Sequence, residues 1–218
     1  MPAATPLLGL PYPTPTDPAD VPADIQALAT KLDARPSALA AALPASPVDG
    51  QTWDYLADAT AGVVWRFRYR AGSTSPYKWE CVGGAPITAM SFPAQTQTLA
   101  TASTWYDVAS SATLAPTLVN PFAGDWDCQY EININPSTVG TIRGGAGIGV
   151  ATNGPADGST GTSGNVQALG QLVYLSARRR CPAIAANQTW RARLRGEAAN
   201  WNLVCGWVAL ALFPVRVG

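Results

Sequence analysis

The chain has 218 residues, with 14 lysines and arginines against 14 aspartates and glutamates, so its net charge is zero. This balance argues against nucleic acid or an anionic membrane as the main partner, because each requires a sustained positive field on the protein. The sequence contains no histidine, which is the commonest general base and the commonest metal ligand. We therefore expect a protein that is not an enzyme, with no catalytic, metal-binding or cofactor-binding residues.

The first 21 residues are predicted to form an extended arm, because six prolines there remove backbone donors and fix φ. Pro22 fits the first position of a helix, which the spacing of apolar residues predicts over 22–33. Neither segment can bury its own apolar side chains. We expect contacts with other chains through Leu7, Leu8, Leu10, Tyr12, Ile25, Leu28 and Leu32.

Residues 46–88 are predicted to form a small three-stranded β meander. Within residues 63–70, aromatic and arginine side chains alternate (VVWRFRYR), which is the period of a strand with one buried face. Residues 51–56 and 77–81 predict the other two strands. A module of this size has little core of its own. The Gly-Gly-Ala-Pro stretch at 83–86 predicts a hinge.

Residues 89–218 are predicted to form an antiparallel β-sandwich of the jelly-roll type, which makes the whole chain mainly β. Residues 125–134 are apolar at even and polar at odd positions, which predicts one buried and one wet face. Residues 189–195 place three arginines on the solvent side. The run 201–217 is apolar on both sides and predicts a central strand between two layers. Residues 152–165, all small or polar, predict a long exposed loop.

The four cysteines, at positions 81, 128, 181 and 205, lack the spacing of a zinc site. We interpret them as small buried apolar residues. Disulfides stay open as an alternative in an extracellular setting. The chain start has no basic region followed by an apolar run, so we expect no signal peptide. The apolar run 203–215 is too short to span a bilayer as a helix.

Two patterns suggest catalysis or nucleotide binding, and each has a simpler interpretation. Residues 144–149 (GGAGIG) resemble a phosphate-binding loop, but no P-loop lysine follows. Glycines in a strand that another backbone approaches closely explain this run better. Asp125, Asp127 and Glu131 resemble a glycosidase pair. However, they alternate on the wet face of one strand, where exposed acids are ordinary.

Two further features suggest contact with host glycans. Arg178, Arg179 and Arg180 form the densest charge in the sequence and could bind an anionic wall polymer. The alternative is a solvated strand end or a salt bridge between subunits, and we favour it. Trp201 could stack on a sugar with the 152–165 loop, whereas Trp126, Trp190 and Trp207 are predicted to lie in the core.

Three segments of the chain resemble a known class of proteins. The opening LLGLPYPTPTDPADVPADIQALATKLD resembles the amino-terminal segment of tail-fibre and minor structural proteins of bacteriophages of actinobacteria. The segment SPVDGQTWDYLADATAGVVWRFRYRAGSTSPYKWECVGGAPI is similar to the small β module that often follows it. The ending NLVCGWVALALFPVRV resembles the last strand of the jelly-roll domains that close such proteins, which are similar in architecture to tumour-necrosis-factor heads.

This resemblance implies a homotrimer in the virion, assembled in the host cytoplasm. Residues 1–45 would anchor and trimerise the chain on other phage structural proteins of the tail or capsid. The head would point outward and adhere to the host surface. Such heads vary widely, so their ligand does not carry over from the resemblance, and a host cell-wall glycan is expected only from the arginines and Trp201 described above. We expect no partnership with nucleic acid and no membrane insertion. The alternatives are a capsid decoration or head-fibre protein without a receptor, and an envelope glycan depolymerase.

Overall fold

The computed structural model describes residues 3–4, 11–12, 23, 25–27, 42–92, 95–108, 116–149, 154–156 and 161–218. The chain divides into two compact units, Met1–Gly84 and Ala85–Gly218. The division falls inside the 83–86 stretch that the sequence predicts as a hinge. The finer division, with boundaries after residues 45 and 88, stays a prediction.

The described residues in the amino-terminal part of the first unit form two short strands and a short helical stretch. Strands β1 (Ala3–Ala4) and β2 (Pro11–Tyr12) pair antiparallel, with Ala3 opposite Tyr12. Proline is tolerated in β2 because a strand of this kind has one unpaired edge. Ala23 and residues 25–27 are helical, which confirms a short helix at the predicted place. The other residues of the predicted helix over 22–33 lie outside the described residues.

The meander consists of β3 (Thr52–Asp58), β4 (Val63–Tyr69) and β5 (Trp79–Gly83). Both pairings are antiparallel, and cross-strand neighbours place aromatic rings opposite one another, as in the Trp53–Phe67 and Tyr69–Trp79 pairs. Such ring pairs stabilise a sheet beyond their area burial. The alternation predicted for β4 is confirmed, because Trp65 is fully buried while Arg66 is exposed and pairs with Asp54 at 2.8 Å.

The second unit is the predicted β-sandwich, built from two antiparallel sheets. Its strands are β6 (Ile87–Ser91), β7 (Gln95–Leu99), β8 (Trp105–Asp107), β9 (Thr117–Asn120), β10 (Gly124–Pro136), β11 (Gly140–Ile148), β12 (Thr162–Val166), β13 (Val173–Ile184), β14 (Gln188–Gly196) and β15 (Trp201–Val217). In the first sheet, the long strand β15 pairs with β10, β6 and β7, and β10 also pairs with β13. In the second sheet, β14 pairs with β8, β9 and β11, and β11 also pairs with β12.

The core of the sandwich lies between the inner faces of these two sheets. The alternation predicted over 125–134 is confirmed, since the even positions are all buried: Trp126, Cys128, Tyr130, Ile132 and Ile134. The opposite face is less wet than expected, because Asp127 and Asn133 are also buried. Trp190 is fully buried and Trp207 is half-buried. Burial of large aromatic side chains contributes strongly to the transfer free energy that stabilises a sandwich of this kind.

Three local predictions for the second unit are wrong. The predicted exposed loop over 152–165 contains β12, whose Thr162 pairs with Gly144 of β11, and Pro155 is buried. Arg193, predicted on the solvent side of its strand, is fully buried. The strand over 201–217 is central, but Val204 on its second face is exposed, so a second layer does not cover that whole face.

Candidate functional site

The outer face of the first sheet holds two of the four predicted glycan-contact residues. Arg178 and Arg180 project from β13 towards Asp127 on the neighbouring strand β10. The guanidinium of Arg178 donates to Asp127 Oδ2 over 2.9 Å, and Arg180 Nε donates to Asp127 Oδ1. The hydrogen bond to Asp127 raises the pKa of Arg180 above its ordinary value. Both arginines are therefore engaged by one carboxylate of their own chain, and the predicted salt bridge between subunits stays a prediction.

A second interaction fixes Arg178 against the sheet. Its guanidinium lies 4.2 Å from the centroid of the Phe213 ring on β15, which is within cation–π range. Arg179 points to the other side of β13 because neighbouring residues of a strand alternate. The three arginines thus do not form one continuous basic patch, and only Arg178 and Arg180 share a face with Asp127.

Trp201 does not contribute to any surface. The side chain is fully buried, and its indole lies within 3.3 Å of where a β-carbon on Gly140 would be and 2.9 Å of one on Gly196. The predicted sugar-stacking role of Trp201 is therefore wrong. Its position at the start of β15, with an alternating inward direction, makes it a core residue.

The three carboxylates considered for catalysis each have a local partner. Asp127 is shared by two arginines, and Asp125 accepts a hydrogen bond from the Ala183 backbone N–H over 3.0 Å. Glu131 accepts one from Gln129 Nε2 over 3.0 Å. Since these contacts run along the surface of one sheet, they place no two acids on opposite walls of a cleft, which is what the two-carboxylate mechanism requires.

A groove of about 340 Å³ crosses the outer face of the first sheet. The sequence does not predict this groove, because it forms where β6 lies beside β15 and neither strand alone indicates that pairing. The small side chains at alternate positions of β15 are the signal that could have indicated it. Polar and apolar groups line it together: Pro86, Thr88, Ala89, Met90, Gln129, Glu131, Ala209, Leu210, Ala211 and Phe213. Phe213 connects this groove to the arginine pair, since the same ring carries the Arg178 guanidinium.

The glycine-rich run lies in β11 and is a packing feature, but the atoms closest to it belong to side chains and not to the predicted backbone. A β-carbon on Gly145 would lie 2.7 Å from Pro155, and one on Gly147 would lie 2.3 Å from Nη1 of Arg193. Arg193 crosses the strand at that point and donates to Asp107 Oδ1 over 3.0 Å. It also donates to the backbone carbonyls of Gly149 and Gly154 over 3.0 and 3.3 Å. A guanidinium that is fully enclosed requires this set of acceptors.

A second charged cluster lies on the outer face of the second sheet. Glu197 accepts hydrogen bonds from Arg143 Nε over 2.6 Å, from Ser103 Oγ over 3.1 Å and from Arg195 over 3.3 Å. The hydrogen bond from Arg143 contributes most to holding the pKa of Glu197 below its usual range. Glu197 therefore stays ionised and joins β11 to the end of β14.

Three further sequence predictions concern metal ligands, membrane-spanning helices and cysteines. In the ranges that the structure describes, no group of three or more cysteine, aspartate or glutamate side chains is placed to hold a metal ion. No helix in the same ranges has the length and apolar character needed to cross a membrane. Cys128, Cys181 and Cys205 are buried and Cys81 is half-buried, and each of the four is a thiol that is not part of a disulfide. Burial raises the pKa of the Cys205 thiol to about 12.

The predicted anchor residues fall largely outside the described residues. This applies to Leu7, Leu8, Leu10, Leu28 and Leu32, while Tyr12 is described only through its backbone in β2. Ile25 lies in the helical stretch and its side chain is 61% exposed. The trimer and anchor contacts predicted for these residues stay predictions.

The solved structures that the chain is similar to share little sequence with it. No protein-family model matches the chain, and no curated protein matches it. The Eiger TNF of S. frugiperda is 10% identical over 62% of this chain and 96% of that chain, with a TM-score of 0.38. A chain of infectious bursal disease virus, Gt strain, is 8% identical over 69% of this chain and 42% of that chain, also with a TM-score of 0.38.

A third structure, the C-terminal CBM6 of LamC from Zobellia galactanivorans, is 11% identical over 57% of this chain and 99% of that chain, with a TM-score of 0.28. The chain spans less than half of the virus chain that it matches. The resemblance to phage proteins stays a prediction.

Proposed function

We propose that this chain is a bacteriophage virion structural protein, a trimeric tail fibre, spike or minor tail protein that presents a jelly-roll head. Its amino-terminal residues 1–45 dock on another structural protein of the particle. The head adheres to the host surface. The three segment resemblances favour this class of protein, and the two-unit organisation accommodates an anchoring part and a displayed part.

The observation that carries the proposal is the exposure of Ile25. Its side chain is 61% exposed in a helical stretch, and the sequence spacing places Leu28 and Leu32 along the same side of the predicted helix. Strands β1 and β2 have two residues each, and a pair of that length is not stable by itself in water. Both features favour a segment that is completed by sister subunits and by a viral platform.

The test of the anchoring role is removal of residues 1–21 in the phage that encodes the chain. We expect the shortened protein to remain soluble and trimeric but to be absent from purified particles, because the docking segment is gone. A matched full-length variant, Tyr174→Ser in the exposed part of β13, should be incorporated normally. Normal incorporation of the shortened protein would refute the docking role.

Images of particles carrying labelled protein decide the place of the chain. Label at the tail tip or along a fibre supports the attachment role, whereas label spread over the capsid favours a decoration protein. Release of reducing sugars from purified host wall by the chain would instead favour a depolymerase.

A further inference from the structure

We propose that the groove on the outer face of the first sheet is a binding site for an uncharged glycan of the host surface. This inference rests on the adhesion role proposed above and deepens it by naming the site and the class of ligand. The proposed glycan contacts are residues of β6, β10 and β15, in place of Arg178, Arg179, Arg180 and Trp201.

The shape of the groove suits a short saccharide. Its volume of about 340 Å³ lies at the lower end of the range of about 300–1,000 Å³ found for small-molecule sites. Ala209 and Ala211 line its floor, and their small side chains leave depth between the flanking strands. Met90, which is 61% exposed, and Phe213 supply apolar surface for the C–H face of a pyranose ring.

The polar groups of the groove fit hydroxyl groups. Glu131 and Gln129 are successive outward residues of β10, and Gln129 Nε2 donates to Glu131 Oε1 over 3.0 Å. This hydrogen bond orients both side chains. A carboxylate has further acceptor sites and an amide has both a donor and an acceptor. A row of such groups beside an apolar floor matches the alternation of hydroxyls and C–H bonds in a sugar.

The charge of the groove gives no advantage to anionic polymers. Glu131 is the charged residue that lines it, and the nearby Arg178 and Arg180 share the single carboxylate of Asp127, so these four side chains together carry no net charge. A phosphate or carboxylate seated in the groove would lie next to the Glu131 carboxylate with no surplus positive charge around it, which disfavours it.

One side of the groove is held in place before any ligand arrives. The Phe213 ring lies under the Arg178 guanidinium at 4.2 Å, and Arg178 is itself held by Asp127 at 2.9 Å. Three side chains on three neighbouring strands thus fix the position of the ring. Binding to a ring that is already ordered costs less conformational entropy.

The test is to measure binding of the labelled protein to a printed panel of oligosaccharides. The panel contains hexose oligomers, N-acetylhexosamine oligomers, and phosphorylated or carboxylated oligosaccharides, and the best binder is then titrated. We expect an uncharged oligomer to bind. Phe213→Leu and Glu131→Gln should each weaken its binding about tenfold or more, since each removes a contact worth over 1.4 kcal/mol. Tyr174→Ser, which alters an exposed aromatic residue of the same face outside the groove, should bind as the original chain does.

Thermal unfolding and solution mass of each variant exclude trivial causes. Preference for anionic oligomers, equal binding by the groove variants, or no binding to the panel would each overturn the proposal. A lower oligomeric mass of Phe213→Leu would overturn it too, because the groove would then be a contact between subunits. Adhesion to whole host cells separates the two levels: if the groove variants adhere as well as the original chain, the groove assignment fails and adhesion stands, whereas failure of the original chain to adhere refutes the adhesion role.

Discussion

Replacement of Gly147 by alanine tests how the second sheet accommodates its buried arginine. The added β-carbon would lie 2.3 Å from Nη1, 2.8 Å from Cζ and 2.9 Å from Cδ of Arg193. Arg193 is 0% exposed and bonded to Asp107, so moving it out of the way disturbs buried contacts. Gly147 does not have a positive φ, and the three atoms nearest to the added β-carbon all belong to this side chain.

The expected cost follows from the displacement that relieves this conflict. Ordinary van der Waals contact needs more than 3.4 Å, so the guanidinium must shift by over an ångström and lose its hydrogen bonds to Asp107 and to the carbonyls. Breaking a buried ion pair costs about 3–5 kcal/mol. Asp107 keeps some solvent contact, with its side chain 26% exposed, which reduces the penalty. We therefore predict a loss of about 3 kcal/mol and a fall in Tm of roughly 10 °C.

The assay is urea and thermal unfolding of the full chain followed by circular dichroism, with two comparisons. Gly154→Ala is the matched control, since its β-carbon would meet only Trp105 at 3.5 Å, and its stability should change by less than about 0.5 kcal/mol. In the double variant with Arg193→Met, the alanine should add almost no further cost. Additive losses in the double variant, or equal effects of the two alanines, would refute the reasoning.

Two further predictions concern titration. Glu197→Gln should lower the free energy of unfolding at pH 7 by up to about 1 kcal/mol, as expected for a partly exposed ion pair. Because Arg143 lowers the folded-state pKa of Glu197, this difference in stability is fully present above the unfolded pKa of 4.5 and is lost as pH falls through the folded pKa. A difference in stability that does not change with pH would contradict the assignment. Cys205, whose pKa burial raises to about 12, should resist a thiol reagent at pH 8 until urea unfolds the chain, and rapid reaction in the native state would argue against its buried position.

The strands with one buried face are predictable from sequence. In the stretch around Trp65 and in the 125–134 segment, a strict period of two leaves one register that buries the apolar side, and a shift of one residue would expose all of it. The aromatic side chains of the meander and the even positions of β10 are therefore where the pattern places them. The glycine-rich run is correctly assigned to a strand under close approach, although the side chains of Arg193 and Pro155 lie against it and not another backbone.

The failures come from packing between distant segments. The alternation of β14 correctly directs Arg193 outward from the core, but the chain around Gly149 and Gly154 then covers it, and no local pattern encodes that cover. β12 (Thr162–Val166) has a polar sequence, and its strand conformation is set by pairing with β11. The candidate groove depends on β6 lying beside β15, a lateral pairing that cannot be read from either strand alone.

The most direct test of the central claim is the mass of the purified full chain in solution, measured by light scattering for the original sequence and for Ile25→Asp and Gln26→Asp. Both positions are exposed in the helical stretch, but only Ile25 belongs to the apolar stripe. The account predicts three times the chain mass of 22.7 kDa for the original chain and for Gln26→Asp, and a lower mass for Ile25→Asp. A stable monomer of the original chain would contradict the account.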